Sequence, residues 1–155
     1  MVTIFIPAVI LYRTRSVSIG WSLQPPLNVL ILIAGSVLML GGLTLVSRTI
    51  RLFATVGQGT LAPWAPPSRL VVRGIYRHVR NPMITGVLLI LSGEVLVLGS
   101  VPLLQLFGIF LVINLIYIPL LEEPLLEKRF GKQYLRYKQA VPRWIPRLKA
   151  FDEFE

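Results

Sequence analysis

The chain contains no cysteine. That absence excludes disulfides, thiolate metal sites and a cysteine nucleophile, and it leaves the redox compartment open. Histidine is nearly absent too: His78 stands alone, which argues against an imidazole-based metal site. No serine sits in a nucleophile arrangement and no metal-ligand cluster is visible, so neither acyl-enzyme chemistry nor resident-metal chemistry is expected. Acid is scarce, with 7 Asp and Glu against 16 Lys and Arg, a formal net charge of +9. In a soluble domain that balance would suggest nucleic acid. Here 54% of the 155 residues are hydrophobic and the basic residues flank apolar runs. Lipid headgroups and membrane topology account for them, and nucleic acid is not an expected partner.

What is present reads as one all-α, polytopic membrane domain over residues 1–155, a helical bundle with N-terminal membrane segments in 1–50. Val2–Tyr12 is apolar but covers only about 16 Å as a helix, roughly half a hydrocarbon core, and contains Pro7. It lacks a basic leading region and a small-residue cleavage site, so a signal peptide is not expected. Arg13–Pro26 is a polar connection. Asn28–Ile50 is the first full span, and its Gly35, Ser36, Gly41 and Gly42 permit close helix approach. Between Thr55 and Arg73, Gly57, Gly59, Pro63, Pro66 and Pro67 exclude a regular helix. Gly57-Gln58-Gly59 lacks the third glycine and the preceding strand of a dinucleotide loop, and Trp64 reads as an interfacial anchor.

Met83–Leu98 and Val101–Leu121 are apolar helices joined by Gly99-Ser100, a joint short enough to force an antiparallel hairpin. Residues equidistant from that tip should face each other. Thr85 then meets Asn114, Tyr76 meets Glu123, and Glu94 forms a structural polar pair with Gln105. Glu122–Val141 is a basic amphipathic helix with a break at Gly131. Leu126, Phe130, Tyr134, Tyr137 and Val141 share one of its faces. Pro142 and Pro146 end it, and Asp152–Glu155 is an acidic tail. The two segments rich in Lys and Arg, 51–82 and the stretch after 121, belong on one side of the membrane, the cytoplasmic side.

The chain is organised around Gly74–Gly86. Its first half is basic, with Arg77, His78 and Arg80; Asn81-Pro82 then opens an apolar helix. Pro82 suits the first turn of a helix and keeps Asn81 out of the helical region, where Asn81 serves as a cap. A helix N-terminus beside arginines at a membrane surface can hold an anion or a polar cofactor. The same pattern also serves as a plain positively charged membrane anchor. His78 reads as an ordinary surface residue.

Two blocks carry a resemblance. Gly74-Ile75-Tyr76-Arg77, Arg80-Asn81-Pro82 and Gly86 form the first. Glu122-Glu123, Leu126, Phe130-Gly131, Tyr134, Tyr137 and Val141-Pro142-Arg143 form the second. Together they resemble the isoprenylcysteine carboxyl methyltransferase and phospholipid methyltransferase group, in a catalytic region over residues 51–148. The resemblance implies an integral-membrane, S-adenosylmethionine-dependent methyltransferase. Its C-terminal amphipathic helix would fold over a cofactor site at the cytoplasmic face. Membrane lipids would surround it, and its substrate would be a lipophilic acceptor: a carboxylate, thiol or amine. Asn81 stands where the group usually has histidine, and Ile84 where it often has tyrosine. A titrating imidazole is therefore missing from that position.

The resemblance assigns catalytic roles to Arg80, Asn81 and Glu123. It gives cofactor contacts to Tyr76, Arg80, Asn81, Pro82, Gly86, Glu122, Glu123, Tyr134 and Tyr137, and a substrate contact to Arg143. Bland readings stand beside these. Arg80 would snorkel to headgroups, Glu122 and Glu123 would be an acidic pair at a helix start, and Tyr134 and Tyr137 would be core. Two other functions fit less of the chain: an NADPH-linked membrane reductase of sterol-like substrates, whose C-terminal pattern is similar, and a non-enzymatic helical assembly protein.

Overall fold

The structure is a computed structural model that describes residues 2–56 and 70–152. Gly57, Gly59 and Trp64, and the end of the acidic tail, lie outside the described residues. Among the described residues every regular element is helical. The α-helices are α1 (Phe5–Thr14), α2 (Leu27–Val56), α3 (Pro82–Leu98), α4 (Val101–Tyr117), α5 (Glu123–Phe130) and α6 (Lys132–Ala140). Short 3-10 turns cover Ile19–Ser22 and Gly74–Arg77, and a π-helical turn covers Ile118–Glu122.

Two helical stretches are long and apolar enough to cross a membrane, Leu27–Thr55 and Val101–Phe130, with mean hydropathies of 2.5 and 2.3. Only 11% and 17% of their apolar windows are buried inside the protein. A soluble core helix would be mostly covered, whereas these present leucine, isoleucine and valine outward, as lipid requires. Within such helices the hydroxyls are satisfied internally: Thr44, Thr49 and Ser92 each donate to the carbonyl four residues back, as does the Asn114 amide to Phe110.

The chain forms two compact units. One comprises residues up to 44 together with 84–115. Here α2 meets α3 through glycine on both sides. A Cβ on Gly42 would lie 2.5 Å from the Gly86 carbonyl oxygen, and a Cβ on Gly35 would lie 3.0 Å from that of Gly93. The contacts pair rising numbers on α2 with falling numbers on α3, so these helices run antiparallel. Gly35 thus packs as the sequence suggests, but Gly41 has nothing within 4 Å of its virtual Cβ. The polar connection after α1 does more than connect. Ser18 N–H donates to Leu98 O (2.9 Å), a carbonyl of the last α3 turn, and the Trp21 indole donates to Val95 O (3.2 Å), which also accepts from Gly99 N–H (3.0 Å). Gly99, at φ +54°, turns the chain directly against the Ser18 carbonyl, where no side chain fits.

The expected pairing of Glu94 with Gln105 is not found. Glu94 is buried with its Oε2 lacking a hydrogen-bond partner, while Gln105 is exposed. Distance from a hairpin tip fixes depth along the helices but not rotation about their axes, and that rotation turns the two side chains apart.

The second unit comprises residues 45–83 and 116 onward. The π turn contains Pro119, which has no N–H to give to an α-helical bond, so the wider turn absorbs it. Gly131 (φ 54°, ψ −131°) separates α5 from α6. Tyr134, Tyr137 and Val141 form a buried cluster, with Leu126 and Phe130 packed on it, the five residues that the helical spacing set on one face.

The glycine contacts generate a test. Gly42→Ala should lower thermal stability in detergent by about 1–3 kcal/mol, the usual cost of overpacking. Gly41→Ala, in open space, should be neutral or slightly stabilising because alanine favours helix. Equal effects at the two positions would contradict the close α2–α3 contact.

Candidate active site

The centre of the second unit is one carboxylate. Glu123, on the first turn of α5, is 2% exposed, and three cations converge on it. Arg80 NH1 donates to Oε1 at 2.8 Å, Arg143 Nε to the same oxygen at 2.7 Å, and Lys138 Nζ lies 3.2 Å from Oε2. Lys138 also pairs with Glu127. A carboxylate this deep is tolerable only when paired and hydrogen-bonded. Burial pushes the Glu123 carboxyl up, but hydrogen bonds from Arg143 and Lys138 and the charge of Arg80 outweigh it and hold the group below its usual value.

Arg80 is equally fixed. Its Nε donates to Val141 O at 2.9 Å and its guanidinium also bonds the Tyr134 hydroxyl. Its backbone N–H donates to Pro142 O (2.9 Å), and that of Asn81 to Arg143 O (3.3 Å). Further bonds join Arg147 to His78 and Phe151 to Arg77, so the extended chain after α6 is laced along residues 77–81. The proline-bearing tail therefore acts as a strap that holds the basic motif in place.

The predicted site residues can now be placed. Arg80, Glu123, Arg143 and Tyr134 share direct contacts. The Tyr137 hydroxyl donates to Tyr76 O (2.7 Å), and the Tyr76 ring meets Phe53 edge-on at 5.6 Å. Tyr76 and Tyr137 are both pushed well above the ordinary phenol range, chiefly by burial. Their hydroxyls are hydrogen-bonding groups, not bases. Glu122, half-buried beside this pair, is raised by burial and then by the charge of Glu123. Pro82 is fully buried at the head of α3. Gly86 lies in the first unit, its carbonyl against Gly42, a helix-packing position.

Sequence reasoning separated positive Arg80 from acidic Glu122 and Glu123; the structure joins Arg80 to Glu123 and leaves Glu122 beside the pair. It also missed Lys138. The signal was available, because Lys138 follows Tyr134 by four residues and shares its helix face. His78 is not an ordinary surface residue: it is half-buried, and its ring Nδ1 donates to Arg147 O at 2.8 Å. No periodicity announces that contact, because its partner lies in non-helical chain.

The family model for phospholipid methyltransferases matches residues 30–133. The chain belongs to that family. Neither the curated proteins nor the solved structures contain a match. The matched region holds both halves of the Arg80–Glu123 contact, and a methyltransferase activity at a membrane follows from family and apolar helices together. Arg143, Lys138 and the strap lie beyond the matched residues.

The ion cluster predicts an acid response. Because native Glu123 sits below its unfolded value near 4.5, its contribution to stability is full above that pH and disappears as pH falls through the depressed native value. Glu123→Gln should flatten that part of the stability–pH profile. Near neutral pH it should cost about 3–5 kcal/mol, since three cations lose their shared partner. Thermal unfolding of both proteins between pH 3 and 7 measures both effects.

Proposed function

We propose that the protein transfers a methyl group from S-adenosylmethionine to a lipophilic acceptor at the membrane surface. The observation that carries the reading is the Glu123 cluster. It gathers one residue from the basic motif before α3, one from α6 and one from the strap around a single buried carboxylate, with Glu122 alongside.

The chemistry of the donor set fits the cofactor. Three cations meet Glu123, but Lys138 is shared with Glu127 and Glu122 lies alongside, so Arg143, which spends only its Nε on Glu123, is the group to hold an added carboxylate. Glu122 supplies the opposite sign, suited to an ammonium or a ribose hydroxyl. Bound S-adenosylmethionine would supply an electrophilic methyl group on a sulfonium. The protein's tasks are then to align the acceptor in line and to exclude water. Arg80 and Asn81 position this surface: Arg80 through Glu123, Tyr134 and Val141, Asn81 through its backbone bond to the strap.

The acceptor nucleophile needs little help. Buried Tyr76, Tyr134 and Tyr137 stay protonated and cannot serve as bases. A carboxylate or thiolate acceptor requires none, and for an amine Glu122, the raised carboxyl, is the group able to take a proton. Apolar helices adjoin the site's residues along the chain, which favours an acceptor delivered from the lipid phase. The basic segments favour a cytoplasmic position for this end of the protein. Asn81 and Ile84, in place of the group's histidine and tyrosine, argue for an acceptor other than a prenylcysteine.

Calorimetry on detergent-purified protein tests the donor: S-adenosylmethionine and its demethylated product should bind, and NADPH should not. Glu122→Gln should weaken that binding by about 1.5–3 kcal/mol, the scale of a hydrogen bond to a charged group, while leaving the fold intact. Labelled methyl groups offered with host membranes should appear in the organic extract. Binding of NADPH alone would replace this reading with the reductase, and label confined to water-soluble products would remove the lipophilic acceptor.

A further inference from the structure

A second site lies in the same unit, away from Glu123. A cleft of about 440 Å³ is lined by Arg48, Leu52, Gly74, Ile75, Arg77 and His78. None of these residues contacts Glu123. Among these described lining residues two carry guanidinium groups, one carries an imidazole, and none is acidic.

The cleft is built rather than incidental. Gly74, at φ +54°, brings the 3-10 turn against α2, where its virtual Cβ would lie 3.7 Å from Leu52. The His78 ring is held through Nδ1 by the Arg147 carbonyl, and its backbone carbonyl accepts from Arg147 N–H at 3.0 Å. Arg77 donates through Nε to Phe151 O at 2.9 Å and pairs with Asp152. Both members of that ion pair are substantially exposed, so water screens it and Asp152 only partly offsets the cleft's charge. No hydrogen bond or ion pair engages the exposed Arg48 among the described residues. Arg48 follows the apolar part of α2, at the depth where a helix leaves hydrocarbon for headgroups.

We infer that this cleft binds the phosphate headgroup of a net-anionic membrane lipid, separately from the methyl acceptor. The volume falls in the range of small-molecule sites, roughly 300–1,000 Å³, and far exceeds a bare inorganic anion. Leu52 and Ile75 give the wall an apolar side, which suits an amphiphile. Arg48 supplies the forked donors that phosphate oxygens prefer, and Arg77, whose Nε and one terminal nitrogen are engaged by Phe151 and Asp152, adds a single donor nitrogen and its charge. The missing carboxylate sets the selectivity. An ethanolamine or choline headgroup would carry its cation into a cleft with two guanidiniums and, among the described residues, no acidic lining residue. A glycerol or bare phosphate headgroup brings no such charge.

Native mass spectrometry of the full chain in detergent tests this, with phosphatidylglycerol and phosphatidylethanolamine of identical acyl chains as probes and inorganic phosphate as the free anion. Phosphatidylglycerol should bind at least tenfold more tightly than phosphatidylethanolamine and inorganic phosphate. Arg48→Gln should reduce its binding at least tenfold. Arg51→Gln, which removes the same charge from α2 outside the cleft, should change it less than threefold. Should Arg48→Gln lose helicity, Leu52→Glu gives a second reading, since an acid on the cleft wall should repel the same lipid. Equal binding of the two lipids overturns the assignment. So does equal loss in the two arginine variants, which would mean diffuse attraction, or inorganic phosphate binding as tightly as the lipid, which would mean a soluble anion.

Discussion

A carboxylate buried beside apolar helices is costly, and the C-terminal half of this protein is arranged to offset that cost at Glu123. Arg80, Lys138 and Arg143 come from three different stretches of chain, and each needs its own scaffold to reach the same two oxygens. Arg80 is set by the 3-10 turn and the start of α3, Lys138 by α6 after the Gly131 break, and Arg143 by the extended strap. Removing any one cation leaves the others still attracted, but removing the carboxylate strands both arginines and leaves Lys138 with Glu127 alone. The cluster is therefore the constraint from which the positions of the tyrosines, the strap and Glu122 follow.

Periodicity revealed the parts of this arrangement that are helical. The 3.6-residue repeat put Leu126, Phe130, Tyr134, Tyr137 and Val141 on one face, and they form the buried cluster. The apolar runs marked α2, α3 and α4 to within a few residues, although α2 runs to Val56 because Arg51 and its neighbours remain helical past the apolar part. Pattern gave no access to contacts made by irregular chain. Trp21 capping α3, Arg147 holding His78 and Phe151 holding Arg77 all join segments with no repeat. Nor does pattern distinguish glycines that look alike: Gly41 and Gly42 are neighbours, yet only Gly42 faces α3. Glu94 shows the same limit, since a register along the helix says nothing of rotation about it.

The two motif blocks take on a physical meaning in the structure. Arginine in the first and glutamate in the second are paired to each other. A site made this way is preorganised, because its charged groups are already held and desolvated before any ligand arrives. The Asn81 N–H is bonded to the Arg143 carbonyl, a backbone contact that needs no imidazole at that position.

Arg80 and Glu123 are 43 residues apart in sequence. At about 5–20 residues per second, the ribosome delivers the glutamate roughly 2–9 s after the arginine. Throughout that interval Arg80 has no counter-ion and weighs in the charge balance that orients membrane helices during insertion. Once Glu123 and the strap emerge, the same guanidinium is neutralised and buried. One side chain thus meets two settings in succession, an unpaired charge during synthesis and a paired, buried one in the finished fold.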